Sequence, residues 1–186
     1  MMDAIFGLAI SIAGVTEGSG ARIADDAWVN EQIDEANGFF APLGVRFRWT
    51  IETPLPEPLG EMHTRDDRDA LAARTERGMV SVFVVRGLED VDEPGRPRMG
   101  VCWTSRTDKQ RYIVLSRIAK PGVLAHELGH LFGNGHSPVP NNLMSYSRDG
   151  GVVFLDDNQK SRITAYAERF LAARTFVDVG PPRRLY

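Results

Sequence analysis

The stretch VLAHELGHLFGNGHS, residues 123–137, holds three of the chain's four histidines and a glutamate among apolar and glycine residues. On a helix, side chains four apart lie on one face a turn apart, so His126 and His130 converge. Leu124, Leu128, Leu131 and Phe132 give the same helix an apolar stripe, and the spacing predicts it from Pro121 to about Phe132. Gly133 follows the last apolar residue and suits the left-handed conformation that ends a helix, so the chain can turn back and bring His136 towards the first two rings.

Outward from this helix the pattern alternates between strands and helices. Downstream, DDNQKSRITAYAERFLAAR (156–174) puts Ile163, Tyr166, Ala167, Phe170 and Leu171 on one face, and Asp156 with Gln159 three residues on forms a capping box. Upstream, RYIVLS (111–116), GVCWT (100–104) and the Val-rich MVSVFVV (79–85) read as strands, separated by a polar turn at 105–110 and an acidic Gly/Pro loop at 86–100. TRDDRDALAARTERG (64–78) reads as a short charged helix after the Pro-rich loop TPLPEPLGEM (53–62). VRFRWTI (45–51) alternates Val45, Phe47, Trp49 and Ile51 with Arg46, Arg48 and Thr50, the pattern of a half-buried strand. In DDAWVNEQIDEANGFFAPLG (25–44), Val29, Ile33, Ala36 and Phe40 form a helical stripe, with Asp25 or Asp26 as cap and Pro42 and Gly44 as terminators. The expected fold class is α+β, an α/β sandwich. In it a twisted mixed sheet of about five strands carries a long backing helix, the histidine helix and a C-terminal helix on one side.

The bulk numbers set limits. A chain of 186 residues is expected to form a single domain spanning 1–186, and 42% hydrophobic with 25% charged residues is globular composition. A net charge of −3 with scattered basic residues argues against a nucleic-acid surface. The longest apolar run, AIFGLAISIAGV (4–15), is too short to span a bilayer. As a signal-peptide core it is preceded by Asp3 rather than a basic segment and followed by the poor cleavage site TEGSGAR, so it reads as a first strand, ending in a turn at 16–20. The single cysteine, Cys102, excludes an internal disulfide and any Cys-based zinc cluster.

Three imidazoles suit zinc, because neutral imidazole is a good ligand and three protein ligands leave a position for water. Water on such an ion has its pKa lowered to about 7, and a neighbouring carbonyl is polarised. Glu127, directly after the first histidine, is placed for the general-base role and not as a ligand. Histidines four apart also occur as ordinary surface or core residues; the third histidine and the intervening glycine favour a metal. A purely structural zinc site would call for a fourth protein ligand such as cysteine.

HELGHLFGNGH followed by NNLMSY resembles the H-E-x-x-H-x-x-G-x-x-H signature and methionine turn of the metzincin zinc peptidases. The match covers about residues 123–146. It implies that His126, His130 and His136 ligate one catalytic zinc, that Glu127 is the base and that Met144 lies in the turn beneath the metal. Ser137 looks like matrixins, whereas Met-Ser-Tyr looks like serralysins and astacins. In the latter the tyrosine two places after the methionine lies near the metal, which makes Tyr146 a fifth ligand or an oxyanion donor. Its alternative is a tyrosine that packs and hydrogen-bonds.

The resemblance implies a zinc-dependent endopeptidase, secreted and monomeric, that binds protein or peptide substrate in extended form. RYIVLS is then the substrate-pairing edge strand, and the loop SRDGGVVFLDD (147–157) walls a specificity pocket. The alternatives are a zinc hydrolase of non-protein amides and an inactive zinc-binding relative, the latter opposed by Glu127. Matrixins hold a second zinc through further histidines, but only His63 remains, so no second zinc site is expected and His63 reads as a surface residue. Asp90, Asp92 and Glu93 could bind calcium, although an exposed acidic loop is the favoured reading. Cys102 either confers latency on the metal or is a buried, inert thiol, and the inert thiol is favoured.

Overall fold

The computed structural model describes residues 3–15 and 20–181, so most of the turn expected at 16–20 lies outside the described residues. A five-stranded sheet forms its centre, in the order β2-β1-β4-β7-β6. Its strands are β1 (Ala4–Ala13), β2 (Val45–Leu55), β4 (Val80–Val85), β6 (Gly100–Thr104) and β7 (Arg111–Ser116). The first four in spatial order pair in parallel, and β6 closes one edge antiparallel to β7. Parallel strands covered on both faces read as continuous apolar runs. That is the character of β1 and β4, whose residues are nearly all buried. AIFGLAISIA is therefore an interior strand, between β2 and β4.

Two expectations about strands are corrected. RYIVLS is not the edge strand: β7 lies between β4 and β6, its residues from Tyr112 to Ser116 are buried, and GVCWT is the edge. The alternation predicted for 45–51 also breaks. Leu8 faces Trp49 but Ala9 faces Ile51, so Thr50 is an extra residue that reverses the phase of β2. Val45 and Phe47 accordingly join the core on one face, while Leu55 joins the core on the other.

The larger core lies between the sheet and three helices: α1 (Asp26–Phe40), α3 (Val123–Leu131) and α4 (Asp157–Ala172). Asp25 caps α1, accepting from the Trp28 N–H at 2.8 Å. Asp156 and Gln159 form the capping box of α4. These three helices pack on one side of the sheet, as expected from the sequence. A smaller core on the opposite face gathers Met62, Leu71, Phe83, Val85, Leu88, Tyr112 and Val114. It is roofed by α2 (Arg65–Ala70), the 3-10 turn Leu71–Arg74 and a ribbon of β3 (Glu61–Met62) with β5 (Gly87–Leu88). The Pro-rich and acidic loops thus each contribute a short strand. Helix α3 begins at Val123 rather than Pro121, after Gly122 at φ 88. No helix among the described residues is long and apolar enough to cross a membrane.

Candidate metal centre

Helix α3 sets its apolar stripe in the larger core and packs against β6 and β7, with His126 and His130 one turn apart on another face. Beyond it Gly133, at φ 83, reverses the chain; a Cβ there would meet the Tyr166 ring at 2.5 Å. The bend brings His136 back. His130 Nε2 lies 3.1 Å from His126 Nε2 and 3.1 Å from His136 Nε2. The potential ligand atoms of the three histidines all fall within 4.8 Å of one another, the only such cluster among the described residues.

The outer nitrogens determine what the inner ones offer. His126 Nδ1 lies 2.8 Å from the Leu143 carbonyl oxygen and His130 Nδ1 2.8 Å from that of Asn134. A carbonyl only accepts, so both Nδ1 atoms carry the hydrogen and both Nε2 atoms present lone pairs. Lone pairs 3.1 Å apart repel unless a cation lies between them. Tetrahedral zinc with bonds of about 2.0–2.1 Å requires ligand nitrogens about 3.3 Å apart, near the separation of two of the three pairs. Carbonyl-oriented imidazoles are also the usual support of a metal site. The residues present therefore fit a zinc ion.

Burial lowers the pKa of all three histidines, that of His130 to about 4, which keeps the rings neutral as ligands must be. Burial pushes the Glu127 carboxyl up to about 7, against a hydrogen bond from the Cys102 backbone. Cys102 itself is pushed up to about 11 by burial, so its thiol stays protonated, as an inert thiol would. Tyr146 is largely exposed, with its hydroxyl 2.7 Å from His136 Nε2. Met144 is fully buried under α3, and its sulfur is so close that a Cβ at Gly129 would lie 2.3 Å from it.

Several contacts that organise the site carried no signal in the sequence. Asn142 and Gln159 exchange side-chain amide hydrogen bonds at 2.9 Å in both directions, joining the methionine turn to the start of α4. Asn142 Oδ1 also accepts the Met144 N–H at 2.9 Å. Arg111 donates to the His130 and Leu131 carbonyls at the end of α3. In the acidic loop, Asp90 pairs with Arg98, Asp92 with Arg65 and Glu93 with Arg96, so each carboxylate faces an arginine instead of its neighbours. Backbone hydrogen bonding from Asp92, with Arg98 beside it, holds Asp90 down at about 2. His63 is exposed and lies 2.9 Å from Glu89.

A solved structure shares this fold. Archaemetzincin from Methanopyrus kandleri superposes with a TM-score of 0.58 at 18% identity, over 90% of this chain and 97% of that one. No protein-family model matches the chain, and no curated protein does. The likeness to archaemetzincin is therefore one of architecture, a mixed sheet with helices arranged as described above.

Proposed function

We propose that the chain is a zinc-dependent peptidase of metzincin type, with His126, His130 and His136 as ligands of one zinc ion and Glu127 as general base. The observation that carries this reading is the convergence of lone-pair nitrogens with a buried carboxylate on the same helix, beside an open edge strand. It is supported by the shared architecture of a protein named archaemetzincin, a name that contains the clan whose motif the sequence resembles.

Zinc bound there would supply Lewis acidity, lowering the pKa of water and polarising a carbonyl. The chain's own residues do the rest. A peptide adds as a further strand along β6, which fixes its backbone by main-chain hydrogen bonds and sets the scissile bond over α3. Glu127, raised by burial into the range useful near neutral pH, takes the proton of the attacking water and passes it to the leaving amine. The Tyr146 hydroxyl donates to the carbonyl oxygen as negative charge develops on it. Neutral imidazoles hold their positions because the Leu143 and Asn134 carbonyls fix two of the rings.

The test is Glu127→Ala, assayed for bound zinc by elemental analysis and for cleavage of casein and of small amide substrates. The expected result is retained zinc with turnover reduced about 10²–10⁴-fold. Undiminished casein cleavage by the variant would refute the base. Hydrolysis by the parent of small amides alone would refute the peptidase assignment.

A further inference from the structure

Among the described residues, five buried side-chain polar atoms lack a hydrogen-bond partner, and four of them belong to residues lining one cleft of about 560 Å³ beside the candidate metal centre. They are Arg68 Nε, Arg111 Nε, and Asn134 Nδ2 and Oδ1. Buried polar groups are ordinarily satisfied, so such a concentration in the walls of one cleft draws attention to the residues that line it.

Arg68 is the most telling. It is only 3% exposed, on α2, with its guanidinium over the Trp103 ring at 4.8 Å and Nη2 donating to the Glu89 carbonyl. No carboxylate lies within ion-pair distance of it among the described residues, because the acidic groups of this wall are engaged elsewhere, Asp90 by Arg98 and Asp92 by Arg65. Arg111 likewise has carbonyl partners and no carboxylate. A buried cation without a directly paired carboxylate is unfavourable; Arg68 is one, with Asp90 and Asp92 acting on it only from beyond ion-pair distance, and the half-buried Arg111 lines the same cleft. The side chains of Arg68 and Arg111 carry donors only, which matches a ligand rich in acceptors. The planar guanidinium fork suits a carboxylate.

We propose that this cleft is a carboxylate subsite, in which Arg68, with Arg111 and Asn134 beside it, binds an acidic side chain or a free terminal carboxylate of the substrate next to the metal centre. The substrate class rests on the peptidase reading; the anion subsite does not.

The test uses the zinc-loaded chain and calorimetric titration with two matched pairs of probes: N-acetylglutamate amide against N-acetylglutamine amide, and N-acetylalanine against its amide. The expected result is that at least one carboxylate probe binds tenfold or more tightly than its uncharged match, and the pair that does so identifies the source. Arg68→Met should bring that ratio close to one, and Arg68→Lys should keep part of it. Ratios near one in the parent would overturn the subsite. So would a ratio that persists in Arg68→Met, because the carboxylate would then be held by the metal alone. If Arg68→Met fails to fold, Arg68→Lys decides, and a ratio in it as large as the parent's would overturn the subsite. Peptides with Glu or Gln scanned around the cleaved bond separate the two readings. Cleavage without a preference for Glu or a free terminus would sink the subsite and leave the peptidase. Carboxylate binding without cleavage of any peptide would do the reverse.

Discussion

Gly129→Ala sets two effects of known size against each other. In the interior of α3 an alanine gains about 1 kcal/mol over glycine from helix propensity. The added Cβ, however, would lie 2.3 Å from Met144 Sδ and 3.1 Å from its Cε, where comfortable contact is about 3.5–4 Å. The sulfur must therefore move by more than about 1 Å. Met144 is fully buried, and its backbone is pinned at both ends, its N–H to Asn142 Oδ1 and its carbonyl to the Ser137 N–H, each at 2.9 Å. Overpacking of this kind costs about 1–3 kcal/mol, with methionine's flexibility limiting the upper end. The net expectation is a loss of up to about 2 kcal/mol, or a Tm lower by up to about 8 °C for a chain of this size. Neighbouring Leu143 supplies the carbonyl that orients His126, so zinc affinity should fall about tenfold as well. Calorimetry of the metal-free chain and competitive zinc titration measure the two effects. In a double-mutant cycle, Met144→Ala should cost less in the Gly129→Ala background than in the parent. A Gly129→Ala chain more stable than the parent, or strict additivity in the cycle, would refute the reasoning.

Asn142→Ala leaves Gln159 Nε2 and the Met144 N–H without their acceptor, while Gln159 Oε1 keeps the Asp156 N–H, and should destabilise the chain by about 2–4 kcal/mol in chemical denaturation. Tyr146→Phe should lower kcat about 10²-fold while zinc content is unchanged, as loss of an oxyanion donor would. Asp90, held at about 2 in the folded chain against an ordinary 3.8, contributes stability that is present above pH 3.8 and lost as pH falls through about 2. Asp90→Asn should therefore be less stable than the parent near neutrality, and the two unfolding curves should converge at about pH 2. Stripping zinc should lower Tm, and free zinc at about 100 times its Kd should restore about 2.7 kcal/mol.

What was legible in the sequence is what local patterns determine. The capping box at Asp156 and Gln159, the stripe of α1 and the apolar run of β1 are each decided within a few residues, and the α+β layering follows from their order. Strand order was not legible, because RYIVLS and GVCWT are both short apolar runs and which of them is flanked on both sides depends on β4, far away in the chain. The reversal of β2 at Thr50 was hidden for a similar reason, since a bulge is visible only against its partner strand. At the site, the proximity of the three rings follows from helical spacing and one glycine. The carbonyls that orient two of them, the Asn142–Gln159 link and the unpaired Arg68 come from tertiary contacts with no signature of their own.

The amide link between Asn142 and Gln159 would also bear on when the centre could take up an ion. The Leu143 carbonyl that holds His126 stands in a turn whose N–H groups are tied to Phe154 and, through Asn142, to the first turn of α4. A peptide ending at Tyr146 would contain every letter of the histidine motif and still lack the clamp that aims its first imidazole. Tight zinc loading would thus wait until α4 has formed and docked against the turn.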